Sequence, residues 1–122
     1  MLASTNQLIR RLAESLSETK NAELKKAVAE VDVVLARSTR ERHEKFIPPD
    51  VTIGIVGLVI EVGKFAYDIF KDYRAKRSLP NEDQINERIV QTVLVSLDQK
   101  AILTEISRAA AQVVIRELHR VD

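Results

Sequence analysis

Residues 51–70 are more apolar than any other stretch of the sequence, and they constrain what the chain can fold into. Wound as an α-helix, this stretch carries small and charged residues at alternating steps of three and four, which align along one narrow side of the helix. This polar stripe consists of Gly54, Gly57, Glu61, Lys64 and Asp68. Because every large apolar side chain lies off the polar stripe, most of the helix must be covered by other helices or by lipid.

A strand is the competing local structure, because β-branched residues are frequent in residues 51–62 and 89–97. A strand points successive side chains to opposite faces, which would scatter the polar stripe over both faces of a sheet. The helical spacing persists along the whole stretch, so we predict a helix there.

Length and composition favour one domain made of long helices. The chain has 122 residues, enough for one hydrophobic core, and only three Gly and three Pro interrupt it. It has no Cys, which excludes disulfides and thiolate chemistry. We predict that residues 1–122 form a single-domain, all-α bundle of four to five helices around the mostly apolar central helix.

The helix boundaries follow from capping signals and prolines. Ser4 with Gln7, and Asn81 with Gln84, have the spacing of a capping box, in which each pair starts a helix. Residues 48–50, Pro-Pro-Asp, stop one helix and can cap the next. The predicted helices cover residues 4–20, 21–46, 49–77, 81–97 and 98–120. The sequence leaves open whether the first two, and the last two, are each continuous.

The central stretch also has the length of a membrane span. Its apolar residues contribute roughly −3 to −7 kcal/mol to insertion, while Glu61, Lys64 and Asp68 cost up to about 10 kcal/mol, so a lone span is unfavourable. Several copies with the polar stripe facing a wet lumen would avoid that cost, and Gly54 and Gly57 would let their backbones approach closely. In a soluble bundle, the stripe is instead the exposed edge of a core helix, with its charges paired and its glycines admitting a crossing helix.

The residues Gly54, Gly57, Gly63 and the run 64–68, Lys-Phe-Ala-Tyr-Asp, carry a local resemblance to a known family. Their order resembles the leading helix of HeLo-like helical domains, which stand at the front of cell-death and immune-type switch proteins. The resemblance covers residues 50–73, about a fifth of the chain. It implies a helix that is released to perforate membranes. In that family the helix begins the protein, whereas here nearly fifty residues precede it.

No pattern in the sequence indicates a catalytic, cofactor-binding or metal site. His43 and His119 have no metal-ligand spacing, and no glycine-rich loop suits a phosphate. A net charge of +1 and the absence of Trp provide neither a strong attraction nor a stacking platform for nucleic acid. We therefore predict that the protein is not an enzyme and needs no cofactor.

The leading functional hypothesis is a non-enzymatic helical module for interaction or self-association, which forms a homo-oligomer or docks partner helices. The polar start of the sequence lacks the core of a secretory signal, which favours the cytoplasm. The candidate interaction face comprises Ile85, Ile89, Val93, Leu97, Leu103, Ile106, Ala110 and Val113.

The alternative is a membrane-active effector, of pore-forming or cell-death type, whose central helix 50–76 leaves the bundle, inserts in lipid and oligomerises. Such a protein becomes membrane-associated on activation. A weak nucleic-acid-associated regulator is the third hypothesis. Neither nucleic acid nor a small-molecule substrate is an expected partner.

Overall fold

The computed structural model describes residues 4–40 and 51–120. Within these ranges the chain forms five α-helices and one 3-10 turn, and the predicted all-α bundle is confirmed. The 3-10 turn covers Leu97–Gln99. The α-helices are α1 (Thr5–Leu16), α2 (Ala22–Arg40), α3 (Val51–Lys76), α4 (Glu82–Thr92) and α5 (Lys100–Arg120).

Helix α3 is the centre of the bundle, because it packs against each of the other four helices. From Ile55 onward its large apolar side chains pack into one continuous core, and several are fully buried: Ile55, Val59, Val62, Ile69 and Phe70. Burial of such a side chain stabilises the fold by about 1.5–3 kcal/mol relative to exposure. The apolar stretch that dominates the sequence is thus covered by the chain's own helices.

Helices α1 and α5 run antiparallel, and polar contacts join them at both ends. Arg11 pairs with Glu117 near the end of α5, while Thr19, just beyond α1, donates a hydrogen bond to Glu105 near the start of α5. Glu117 also lies 3.6 Å from Arg120. Its carboxylate is largely buried and has two cationic partners, which offsets the cost of removing it from water.

Helix α4 also runs antiparallel to α5. Ser107, which is fully buried, donates a hydrogen bond to Asn86 of α4. Gln112 donates another to Glu82 over 3.3 Å. From Ser107 to Gln112 the residue numbers rise along α5, while their partners fall from Asn86 to Glu82 along α4. The two helices are therefore antiparallel.

Both predicted capping boxes are present. The Ser4 hydroxyl accepts a hydrogen bond from the Gln7 amide at 3.2 Å, and the Gln7 side chain accepts one from the Ser4 amide at 2.9 Å. Asn81 and Gln84 make the same reciprocal pair at the start of α4, at 2.8 and 3.0 Å. Each box satisfies amides that have no partner within the first turn of a helix.

The structure separates the helices whose continuity the sequence left open. α1 ends at Leu16 and α2 begins at Ala22, with the Asn21 side chain accepting a hydrogen bond from the Leu24 amide at 3.0 Å. The helix predicted over residues 81–97 ends at Thr92 instead, because Val93 is extended, with φ −87° and ψ 115°. The extended backbone at Val93 ends the helix while its side chain stays buried in the core.

Several predicted boundaries lie outside the described residues. They are the end of the second helix at residue 46, the start of the central helix at residue 49, and the stop and cap at residues 48–50. His43 lies outside them as well.

Helix α3 ends in a left-handed residue that is not glycine. Arg77 has φ 52°, its amide donates to the Arg74 carbonyl at 3.1 Å, and the Ser78 amide donates to the Tyr73 carbonyl at 3.1 Å. These two bonds form a Schellman motif, in which glycine normally takes the position of Arg77. The motif satisfies carbonyls that would otherwise have no partner at the helix end.

Candidate interaction surfaces

The polar stripe of α3 is exposed along its length, as expected for the outer edge of a core helix. Gly54, Gly57, Glu61, Lys64 and Asp68 all lie on the surface. The predicted surface pairing of its charges is wrong, because Glu61, Lys64 and Asp68 form no ion pair with any residue in the described ranges. The stripe therefore presents charges to solvent that the monomer does not neutralise by direct contact.

The glycine that admits a crossing helix is Gly63, not Gly54 or Gly57. A methyl group on Gly63 would place its carbon 2.5 Å from Cγ1 of Ile9 and 3.3 Å from Cα of Ile9, in α1. The same group on Gly54 or Gly57 would meet no atom of the described residues within 4 Å. The prediction that the stripe glycines receive a crossing helix within the bundle is thus corrected. The sequence signal was the position of Gly63 on the apolar side of the helix.

The candidate interaction face lies inside the monomer rather than on its surface. Of its eight residues, Leu97 alone is exposed, and the other seven are buried in the core. These side chains cover α3 and fill the contact between α4 and α5, so they are unavailable to a partner while the bundle is closed. Amphipathic spacing identifies a buried face, but it does not say whether the covering surface belongs to the same chain.

Two leucines in the connection between α4 and α5 are unusually exposed. Leu94 is 91% and Leu97 is 81% exposed, and we call this pair the leucine patch. They are three positions apart, so their Cα atoms lie within about 11 Å. The helical pattern had placed Leu94 beside the candidate face, but the end of α4 at Thr92 turns it outward.

An open groove of about 590 Å³ lies between α1 and the C-terminal half of α5. Its lining residues are Arg11, Glu14, Ser15, Val113, Arg116, Glu117, His119 and Arg120. Glu14 and Glu117 offset two of the three arginine charges of the lining, and the groove lies at the negative end of the α5 dipole. The groove therefore lacks the concentrated positive charge that an anionic ligand requires.

Asp72 links the end of α3 to α4. It accepts a hydrogen bond from Arg88 of α4 and another from Lys76, each over 3.3 Å. The Arg88 guanidinium, followed by the Lys76 ammonium, lowers the pKa of Asp72 below its ordinary value of 3.8. Because the Asp72 side chain is 35% exposed, this contact is a surface ion pair that links α3 to α4 rather than a chemical site.

The described ranges contain neither a cluster of metal ligands nor a helix suited to span a membrane. There, no group of three or more His, Asp or Glu side chains is arranged to hold a metal ion. None of the helices in those ranges combines the length and the apolar character needed to cross a membrane.

Comparison of the chain with protein-family models, with curated proteins and with solved structures found no match. The resemblance of residues 50–73 to HeLo-like domains therefore stays a prediction.

Proposed function

We propose that this protein is a non-enzymatic interaction module that associates with copies of itself, and that the leucine patch is one of its contact surfaces. The observation that carries this proposal is the exposure of Leu94 and Leu97, since most other large apolar residues in the described part of the chain are buried. Neither side chain stabilises the monomer by burial. A contact that covers them would gain up to about 1.5–3 kcal/mol for each leucine.

A second copy is the partner that the leucine patch suits. Apolar contacts are not directional, so two identical patches can meet across a two-fold axis without needing complementary groups. Each leucine then contributes twice to one dimer. Val90, two residues before the end of α4 and four before Leu94, is a further partly exposed apolar residue in this part of the sequence.

Self-association also requires less rearrangement than insertion of α3 into lipid. If α3 left the bundle, the helices around it would lose their cover, including Leu8, Ile89 and Ile106, which are at most 1% exposed. Each such side chain would then cost about 1.5–3 kcal/mol in water. Contact through the leucine patch leaves the core intact, which favours it over the membrane-active alternative.

Light scattering after size-exclusion chromatography tests this proposal. We expect the wild-type chain to have an average mass above the monomer mass of 13.8 kDa, rising with concentration. The double variant Leu94→Ser/Leu97→Ser should show a lower average mass, because it removes the apolar contact. At concentrations where both chains are monomeric, its thermal unfolding should match that of the wild type, since both side chains are already exposed.

Leu79→Ser is the matched control, because Leu79 is a 61% exposed leucine in a different connection, between α3 and α4. This control should leave the average mass unchanged. A wild-type chain that stays monomeric at every concentration would contradict the proposal. So would an equal effect of the control and of the patch variant.

A further inference from the structure

We propose that the polar stripe of α3 is a second contact between copies of this chain, in which two α3 helices pair antiparallel. This contact rests on the proposal that the chain self-associates, but it uses a different surface from the leucine patch. The partner is α3 of a second copy, which we infer from the order of charges along the stripe.

The charges of the stripe are complementary in one orientation only. In an antiparallel pair whose two-fold axis passes between residues 62 and 63, Glu61 of each copy lies opposite Lys64 of the other. A parallel pair in register would instead place each charge opposite its own kind. Opposite charges across a contact favour one orientation and penalise the other. Because the monomer leaves Glu61 and Lys64 without ion-pair partners among the described residues, both are available to a second copy.

In the same antiparallel orientation, the two exposed glycines of the stripe lie opposite longer side chains of the other copy. Gly57 of one copy lies opposite Asp68 of the other, and Gly54 lies opposite Lys71. A methyl group at either glycine would meet nothing within 4 Å among the residues that the structure describes, so the backbone of α3 is open to approach there. Two helices can therefore come close at both ends of the contact while their charged side chains meet at its centre.

Apolar side chains on both sides of the stripe would enlarge this contact. Ile60 and Phe65 are partly buried and lie on opposite sides of the stripe, by the 100° step of an α-helix. A single helix pair buries less surface than a standard stable interface, so the dimer is weak and concentration-dependent.

Charge reversals test the contact in the background of Leu94→Ser/Leu97→Ser, which removes the leucine patch. The probe is the chain itself, studied by sedimentation velocity across roughly 5–500 µM, a range that suits a weak interface. This background should dimerise. Glu61→Lys alone and Lys64→Glu alone should each weaken the dimer about tenfold, because two attractive pairs become two repulsive ones.

An equal mixture of the two reversed variants should restore dimerisation, since each then meets the opposite charge. The double reversal Glu61→Lys/Lys64→Glu in one chain should also dimerise, within about threefold of the unreversed background. Because all four residues of the paired contact are exposed, circular dichroism should show the same helix content and melting temperature in every variant.

Glu23→Lys and Lys26→Glu on α2 are the matched controls. They change the same two residue types at the same spacing on another exposed helix surface, and they should leave dimerisation unchanged. A background that remains monomeric, a mixture that fails to recover, or controls that act like the stripe variants would each overturn the antiparallel contact. The leucine-patch proposal would be unaffected, since its own test compares wild type with the patch variant.

Discussion

The contact between Gly63 and Ile9 yields the sharpest prediction about the fold. Gly63→Ala introduces one methyl group at the point where α3 crosses α1. That methyl carbon would lie 2.5 Å from Cγ1 of Ile9, and 3.3 Å from both Cα and Cβ of Ile9. Ile9 is fully buried, and its branched side chain has few alternative rotamers, so the two helices must move apart to relieve the clash.

The expected loss of stability is the difference between two opposing effects. Replacing a glycine by alanine inside a helix gains about 1 kcal/mol, because alanine restricts the unfolded chain more. Overpacking a tight core contact costs about 1–3 kcal/mol. The clash is with Cγ1 of a fully buried side chain, and the Ile9 backbone lies in tight contact behind it at 3.3 Å. The cost should therefore lie near the upper end of that range, and Gly63→Ala should destabilise the fold by about 1–2 kcal/mol.

Chemical denaturation provides the measurement, with Gly57→Ala as the matched control on the same helix. A methyl group at Gly57 meets no atom of the described residues within 4 Å, so in the monomer this variant should gain the full helix-propensity benefit of about 1 kcal/mol. In thermal unfolding each kcal/mol corresponds to a shift of roughly 3–6 °C for a chain of this size. If Gly63→Ala stabilises the protein as much as Gly57→Ala does, the close crossing of α1 and α3 is wrong.

A double-mutant cycle with Ile9→Ala isolates the clash itself. Ile9→Ala alone removes a buried side chain and should cost about 2–5 kcal/mol. Combined with Gly63→Ala, the total loss should be smaller than the sum of the two single losses, because the added methyl group then occupies space that Ile9 has vacated. Additive losses would show that the two residues do not touch.

Two further predictions concern the end of α3. In urea denaturation, Arg77→Gly should raise the free energy of unfolding by about 1 kcal/mol. Glycine adopts the left-handed conformation of residue 77 without the strain that arginine has there. An unchanged or lower stability would contradict the Schellman motif. Asp72→Asn should destabilise the fold at neutral pH, because the hydrogen bonds from Arg88 and Lys76 lower the pKa of Asp72 in the folded protein. Because the folded-state pKa is lowered, the ionised Asp72 stabilises the fold at pH values above the unfolded-state pKa of 3.8, and this stabilisation is lost as the pH falls below that value. The melting temperatures of Asp72→Asn and of the wild type should therefore converge in acid.

Local signals in the sequence predicted the parts of the fold that depend on neighbouring residues. The capping boxes at Ser4 and Asn81 involve partners three positions away, so the sequence alone locates them. The polar stripe depends on the regular step of one helix, and its exposure followed from that step. Each of these features is complete within one or two helical turns.

Contacts between distant residues could not be predicted in this way. The crossing of Gly63 and Ile9 and the pair of Arg11 and Glu117 depend on how whole helices pack. The exposure of Leu94 depends on the end of α4 at Thr92, where burial of Val93 and extended backbone prevail over a helical pattern that continues through the sequence. Hydrophobic spacing therefore marked the candidate face correctly as apolar, while the packing of the bundle decided that it lies inside.

The two proposed contact surfaces have opposite physical character, and this gives a way to separate them in the unmodified chain. The polar stripe joins copies through exposed charges, which salt screens over about 8–10 Å at moderate ionic strength. The leucine patch joins copies through apolar burial, which salts such as sulfate strengthen. Two different two-fold contacts on one chain also link copies beyond a dimer, into a row or a closed ring. Raising the salt concentration should therefore reduce such assemblies to dimers held by the leucine patch, whereas loss of the patch alone should leave dimers that dissociate in salt.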